Sequence, residues 1–270
     1  MECDFVEIYK QYVDLANSDS IELNNFPVNY DVPRLSNGGT ISIELFVYSQ
    51  MLDDFRVGIP NSINEFGNLI FKLLVWRDVF KTIDLIDHKY VVLSEFINPI
   101  ATQALCYPYA LKSRIEYAIA HLSNQANWFR SDITIKDDLP KDRKINTVIV
   151  NKYAAHWECF EDLKIALSKT NIQFDIETKD YRNKYTHRYS LPIEIGLGES
   201  ILRHPIEKIE NESKEDTVKA NYQIGSNPPL TLDQICSSLI DEYSRFLNVY
   251  SQFKCLTLEQ ITFIKTYKRE

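Results

Sequence analysis

The sequence predicts an all-α protein built as an antiparallel helical bundle. Apolar residues recur at helical spacing along most of its 270 residues. Ser, Thr, Asn and Pro stand where helices would begin or be interrupted. Glycine is also scarce, with 7 residues in the whole chain, whereas many-stranded folds use it in their turns. The scarcity also disfavours Rossmann and P-loop enzymes, since Gly196-Leu197-Gly198 lacks the third glycine of a dinucleotide fingerprint.

Apolar stripes predict the helices of the first half. The first stripe comprises Ile41, Leu45, Tyr48, Leu52 and Phe55. The capping-box pattern Ser62-x-x-Glu65 predicts that a new helix starts there and runs to about Phe80. A further helix is expected from Lys89 to about Asn98, where Pro99 disturbs it. Pro108 suits the first turn of the next helix, which runs to about Trp128.

The second half alternates loops and helices. Residues 131–147 are charged and contain Pro140, which predicts a loop. Asn151 is expected to cap the helix that carries Phe160, and Thr170-Asn171 to interrupt it. One helix is expected from about Phe174 to Ser190, ended by Pro192.

The chain ends with its clearest helical pattern. Residues 205–229 are polar and predict a solvated loop or a weak hairpin. The capping pattern Thr231-x-x-Gln234 then opens a helix that runs to about Phe253. A second capping pattern, Thr257-x-x-Gln260, predicts a separate short helix at the C-terminus.

Composition narrows the possible partners. The net charge of −8 would repel nucleic acid, so binding it would need a local basic patch. The five cysteines and five histidines show no metal-ligand spacing, so we expect no metal and no cofactor. The odd, unpatterned cysteines predict reduced thiols in a cytoplasmic protein. The longest apolar stretch, Leu69 to Trp76, is too short for a membrane span, so no membrane partner is expected.

The segment 179–189 concentrates the chemistry of the chain. It holds four basic residues against one acid, interleaved with three tyrosines. Basic side chains attract phosphates and tyrosine rings stack on bases. His187 stands among them, and its imidazole is the natural acid or base at neutral pH. The segment therefore predicts RNA as the partner.

This segment resembles the R-x(4–6)-H motif of the HEPN superfamily, small all-α domains of many prokaryotic ribonucleases and toxins. Arg182 and His187 are separated by four residues, and Asn183 provides the polar residue that often follows the arginine. His187-Arg188-Tyr189 matches the extended H-x-Y form found in toxins paired with a nucleotidyltransferase antitoxin. The resemblance implies a HEPN-like bundle over 105–255, an N-terminal helical extension over 1–104 packed on it, and a short C-terminal helix over 256–270.

The resemblance implies a homodimer with a composite site that cleaves RNA without a metal, leaving a 2′,3′-cyclic phosphate. His187 would transfer the proton, Arg182 would bind phosphate oxygens, and Asn183 would hold the arginine or contact the phosphate. Basic residues beside the motif would attract the RNA backbone, namely Lys179, Lys184 and Arg188. Tyr189 would orient His187 or accept AMP from a nucleotidyltransferase antitoxin. The implied role is that of a toxin or phage-defence effector.

Several alternatives stay open. The cations could simply complement the C-terminal dipole of a helix. The protein could instead be a catalytically inactive HEPN-like module that binds nucleotide or RNA, or a helical scaffold. A second pair, Arg114 and His121, has a permitted spacing but no polar residue after the arginine. A polar residue from the helix 108–128 often joins the family's site, and the candidates are Glu116, Asn124 and Asn127.

Overall fold

The computed structural model describes residues 5–18, 21, 23, 26–35, 42–134, 138–140, 145–189, 191–198, 201–203, 222–224 and 227–267. These residues confirm an all-α fold. The helices are α1 Phe5–Ala16, α2 Ile43–Lys81, α3 Ile86–Val92, α4 Asn98–Asn127, α5 Thr147–Ala154, α6 Phe160–Ser168, α7 Ile172–Glu177, α8 Tyr181–His187 and α9 Leu232–Tyr267. A short antiparallel ladder, β1 Ile201–Arg203 with β2 Tyr222–Ile224, brackets the polar segment. The charge run between these strands lies outside the described residues.

The core forms where α2, α4 and α9 pack against one another. The apolar stripes predict its members well, because their spacing places them on one face of each helix. Tyr48 of α2, Ile115 of α4 and Phe246 of α9 are all fully buried or nearly so. The rings of Phe66 and Phe246 meet edge to face at 6.2 Å between centroids. The site described below is built on α4, whose other faces are held by this core.

The helix α2 is continuous, so the predicted start at Ser62 is wrong. Ser42 caps its N-terminus, where the hydroxyl accepts from the Leu45 amide. Ser62 lies inside the helix and donates its hydroxyl to the Gly58 carbonyl, one turn earlier. A serine within a helix often bonds backward in this way instead of capping. Pro60 is tolerated in the same helix, where it is buried.

The prolines of the next helical region also do not mark the expected boundaries. A π-helical turn over Leu93–Ile97 connects α3 to α4, and Pro99 lies in the first turn of α4 instead of ending a helix. Pro108 lies inside α4, so the predicted start there is wrong. The predicted end near Trp128 is confirmed, since the helix ends at Asn127.

Two further helix predictions are wrong in the second half. Asn151 does not cap the helix that carries Phe160, because it lies inside α5, and α6 begins after Cys159 with no side-chain cap. Asn146 caps α5 with its side-chain oxygen. The expected helix from Phe174 to Ser190 is divided into α7 and α8, because Lys179 and Asp180 adopt left-handed backbone conformations with φ of 55° and 56°. Such residues do not continue a right-handed helix. The expected interruption at Thr170-Asn171 is confirmed, with Asn171 at φ 71°.

The last helix confirms one capping prediction and contradicts the other. The Thr231 hydroxyl accepts from the Gln234 amide, and the Gln234 side chain accepts from the Thr231 amide, the reciprocal pattern of a capping box. The separate short helix predicted at 256–270 is wrong, because α9 runs without interruption to Tyr267. Gln260 lies in its buried face and bonds Tyr48 and Ser123.

The division into an extension over 1–104 and a bundle over 105–255 stays a prediction. Helix α4 passes through that boundary, and the core draws residues from both sides of it. The expectation that all cysteines are reduced is wrong for one pair, since Cys159 and Cys255 form a disulfide. Cys106 and Cys236 are free. No helix among the described residues is long and apolar enough to cross a membrane.

Candidate functional site

The motif segment 179–189 begins with a sharp turn and continues as α8. The left-handed pair Lys179 and Asp180 turns the chain between α7 and α8. Tyr181 anchors the helix: its ring is buried, and its hydroxyl lies 3.0 Å from the Thr102 hydroxyl of α4. The short helix α8 is therefore held against the first half of α4.

The first motif residues contact neighbouring elements of the same chain. The Arg182 guanidinium lies over the ring of Tyr109 on α4, 5.0 Å from its centroid. Asn183 donates its side-chain amide to the Asp180 carboxylate at 2.9 Å, across the first turn of α8. Lys179 donates to the Pro228 carbonyl at 3.1 Å. In this structure Asn183 thus supports the turn before α8, while Arg182 rests on an aromatic face.

The later motif residues are the most exposed. His187 is the last residue of α8, and its imidazole bonds no residue that the structure describes. Arg188 and Tyr189 follow the helix, and the Tyr189 side chain is 87% exposed. Lys184 is half-buried on the same helix. The structure therefore presents a histidine, two cations and a tyrosine to solvent within six residues of one another.

Helix geometry separates the two principal motif residues. Side chains five positions apart on an α-helix point about 140° apart. Arg182 lies against α4, whereas His187 stands at the free end of α8. One copy of the chain thus presents the two side chains on different sides of the helix.

A partly buried acidic group lies behind Arg182. The Asp175 carboxylate of α7 accepts a hydrogen bond from the Tyr109 hydroxyl. The ring of the same tyrosine lies under the Arg182 guanidinium. The pKa of Asp175 is raised to about 6, first by partial burial and then by the negative charges of Asp180 and Glu242, while Arg182 lowers it. The charged groups around Asp175, Arg182 among them, therefore influence how far this carboxyl group is ionised near neutral pH.

A fully buried carboxylate holds this region to α9. Glu242 is fully buried, accepts from the Asn171 amide at 2.9 Å and pairs with Arg245 at 2.7 Å. Burial raises its pKa, while the bonds from Arg245 and the Asn171 amide lower it. Because Asn171 precedes α7, this contact fixes the start of the segment that carries the motif.

Sequence patterns missed these supporting residues. Tyr109, Asp175 and Glu242 come from three different helices, and no local pattern joins them. One signal was present: Glu242 lies within the apolar stripe of α9, and an acid in such a position needs a buried partner.

The three candidates from the earlier helix lie away from the motif. Glu116 accepts from the Thr147 hydroxyl at 2.7 Å, and Asn127 bonds both the Tyr153 carbonyl and the Trp157 indole. The Asn124 side chain is buried as well. The nearest of them, Glu116, is seven residues beyond Tyr109, about 10 Å along the axis of α4. The structure therefore does not bring them to Arg182.

Neither a metal site among the described residues nor a similar protein gives further information on the function. Within the described part of the chain, no group of three His, Cys, Asp or Glu side chains could hold a metal ion. No family model, curated protein or solved structure matches the chain. Function must therefore be inferred from the residues themselves.

Proposed function

We propose that this protein is a metal-independent endoribonuclease of the HEPN type that acts at segment 179–189. The observation that carries the proposal is the exposed cluster at the end of α8. It places His187 beside Arg188 and Lys184 in a chain of net charge −8. Exposed cations around a histidine supply the phosphate attraction and the proton transfer that RNA cleavage needs.

The chemistry can be written from these groups. The 2′-hydroxyl of the RNA loses its proton to a base and attacks the adjacent phosphorus. The bond to the 5′-oxygen of the next nucleotide then breaks, and that oxygen takes a proton from an acid. The products are a 2′,3′-cyclic phosphate and a 5′-hydroxyl. His187 transfers protons, and the planar guanidinium of Arg182 stabilises the charge that develops on the phosphate oxygens.

A homodimer would complete this site. One chain supplies one histidine in the segment, while the reaction needs both a base and an acid. Arg182 and His187 also point in different directions on α8, so a second copy would be needed to bring an arginine opposite a histidine. Two copies would supply two Arg182 and two His187 to one RNA strand.

The surroundings of the motif support the binding of RNA. Tyr185 and Tyr189 are exposed and offer ring faces on which bases can stack. The exposed hydroxyl of Tyr189 would also be accessible to a nucleotidyltransferase antitoxin that transfers AMP. In a cell, unrestrained cleavage of this kind would arrest growth, which is the action of a toxin or of a phage-defence effector.

A second candidate function is RNA or nucleotide binding without cleavage. The observation in its favour is the same divergence of Arg182 and His187 within one chain. If no dimer forms, the cations and tyrosines would still bind RNA, but the proton transfer would lack its partner groups.

The proposal is tested by incubating total RNA with the purified protein in EDTA. The wild type, His187→Ala and His156→Ala are compared, the last being a matched control because His156 is also exposed. We expect cleavage by the wild type and the control, and a loss of at least about 100-fold in His187→Ala. Equal cleavage by all three proteins, or binding of RNA without cleavage by any, would reject the nuclease; the latter result would favour the second candidate.

A further inference from the structure

A cleft of about 530 Å³ lies between α2 and α4, apart from the motif segment. Its lining includes Phe55, Gly58, Ile59, Ser62, Arg114 and Tyr117. Its volume falls within the range of about 300–1,000 Å³ that is usual for small-molecule sites. The cleft involves neither α7 nor α8, so its contents do not depend on the proposed nuclease activity.

The walls of the cleft are suited to a flat ring. Phe55 and Tyr117 meet edge to face, with 5.9 Å between their centroids, and Ile59 adds a buried apolar surface. Gly58 adds no side chain to the lining, and a Cβ atom at this position would meet no atom within 4 Å. Aromatic and aliphatic walls of this kind stabilise planar apolar groups.

Arg114 supplies a cation at the polar side of the cleft. Arg114 donates through Nη1 to the Ser62 and Tyr107 hydroxyls, both at 3.0 Å, and its guanidinium lies 5.5 Å from the centroid of the Tyr107 ring. The Glu65 carboxylate is 4.0 Å from the same nitrogen. These contacts hold the guanidinium in place, which reduces the entropy lost on binding.

The outer edge of the guanidinium is available to a ligand. Nε and Nη2 of Arg114 bond no residue that the structure describes, and the side chain is half exposed. Such a pair of donors matches the two oxygens of a phosphate or carboxylate. Among the described lining residues Arg114 carries the only cation, which suits one anionic group better than a polyphosphate chain.

We propose that this cleft binds a small ligand in which a planar aromatic ring is joined to one anionic group, the chemistry of a nucleoside monophosphate or an aromatic carboxylate. The ring lies against Phe55 and Tyr117. The anion is bound by Arg114, and the Ser62 hydroxyl next to it can bond the polar groups between ring and anion.

The test is calorimetric titration of the full chain with AMP as the phosphate probe and indole-3-acetate as the carboxylate probe. Gly58→Leu fills the cleft with a side chain that helices accept. Asn68→Leu, at an exposed position of the same helix, is the matched control. We expect at least one probe to bind the wild type and the control equally, and to bind Gly58→Leu at least tenfold more weakly. The melting temperature of Gly58→Leu should not fall, because leucine favours a helix interior more than glycine does.

Binding measurements on two further variants distinguish this cleft from the RNA segment 179–189. Arg182→Ala should leave the affinity for the probe unchanged, and Arg114→Gln should weaken the binding of AMP but not of adenosine. Absence of binding by both probes overturns the proposal. So does binding that survives in Gly58→Leu, binding that is lost in Arg182→Ala, or inorganic phosphate that binds as tightly as AMP.

Discussion

Two arginine–histidine pairs whose spacings both fit the R-x(4–6)-H pattern lie in different environments. Arg114 and His121 belong to α4, where hydroxyls of Ser62 and Tyr107 fix the arginine and the histidine ring lies 4.2 Å from that of Tyr117. Arg182 and His187 belong to α8, where the arginine rests on one ring and the histidine is exposed.

The difference shows that the sequence spacing of an arginine and a histidine does not determine whether the pair is packed in the fold or exposed at the surface. The first pair lies within a helix of 30 residues that packs against α2 and α9. The second lies in a helix of 7 residues at the surface. The second pair lies on an exposed surface that a polymer such as RNA can approach. In the first pair His121 packs on Tyr117, and Arg114 lines the cleft between α2 and α4. Each prediction below tests one side of this contrast.

The largest effect on stability is expected in the second half of α4. Asn127→Ala would remove the hydrogen bonds that the Asn127 side chain makes with the Trp157 indole N–H and the Tyr153 carbonyl. Loss of two buried hydrogen bonds destabilises a protein by about 3 kcal/mol in total. Urea unfolding should show this loss, and the cleavage rate per folded molecule should be unchanged. A variant of normal stability that no longer cleaves RNA would return Asn127 to the catalytic site.

Replacing each histidine by alanine should affect stability and RNA cleavage differently. His121→Ala removes a ring packed on Tyr117 and should lower the free energy of unfolding by about 1–2 kcal/mol. His187→Ala removes an exposed side chain and should change it by less than about 0.5 kcal/mol. Thermal unfolding and RNA cleavage are measured on both variants. Loss of cleavage in a fully folded His121→Ala protein would reverse the assignment of the two pairs.

The exposed cations beside His187 should act through salt-dependent binding. Arg188→Gln should reduce the slope of log affinity against log salt by about 0.7, the value for one phosphate contact on a single strand. RNA binding is measured by fluorescence anisotropy at several salt concentrations. Lys10→Gln is the control, because it also removes one positive charge, at an exposed position of α1. It should leave the slope unchanged. Equal slopes for Arg188→Gln and the wild type would remove Arg188 from the RNA contact.

The smallest effect concerns Asp175, the partly buried acid behind Arg182. The pKa of Asp175 in the folded protein is raised to about 6 from an ordinary value of 3.8. The folded state therefore binds more protons than the unfolded state between these values. Stability from this group is consequently present at low pH and is lost as the pH rises through about 6.

Asp175→Asn should remove that dependence while keeping an oxygen that can accept from Tyr109. Between pH 4 and 7, the stability of the wild type should fall relative to the variant by at most about 1 kcal/mol, because the carboxyl group is partly exposed and screened. Thermal unfolding across this pH range measures the difference. Parallel curves for the two proteins would show that Asp175 is not perturbed.

Local patterns predicted part of this structure and long-range contacts decided the rest. The capping box of Thr231 and Gln234 was visible because both partners lie within four residues. The break between α7 and α8 was not visible, because it depends on left-handed residues that are not glycine. Their turn is held by a bond from the Asp180 amide to the Asp175 carbonyl.

The same division applies to the candidate site. Its exposed cations and tyrosines follow one another in sequence, so composition alone singled out the segment 179–189. Tyr109 contacts Arg182, and Glu242 holds the start of α7, only through tertiary packing. The residues next to them in sequence do not indicate these contacts. Pro60 and Pro108 teach a related lesson: packing on both sides of a helix outweighs the local tendency of proline to end it.

The most direct test of the proposed chemistry is the cleavage, in EDTA, of an RNA oligonucleotide with one 2′-deoxynucleotide on the 5′ side of the mapped cleavage position. The unmodified RNA should yield a 2′,3′-cyclic phosphate and a 5′-hydroxyl. The modified RNA should remain intact at that position, because the attacking hydroxyl is missing. Cleavage of the modified RNA at the same position, or a 3′-hydroxyl product from the unmodified RNA, would contradict the account.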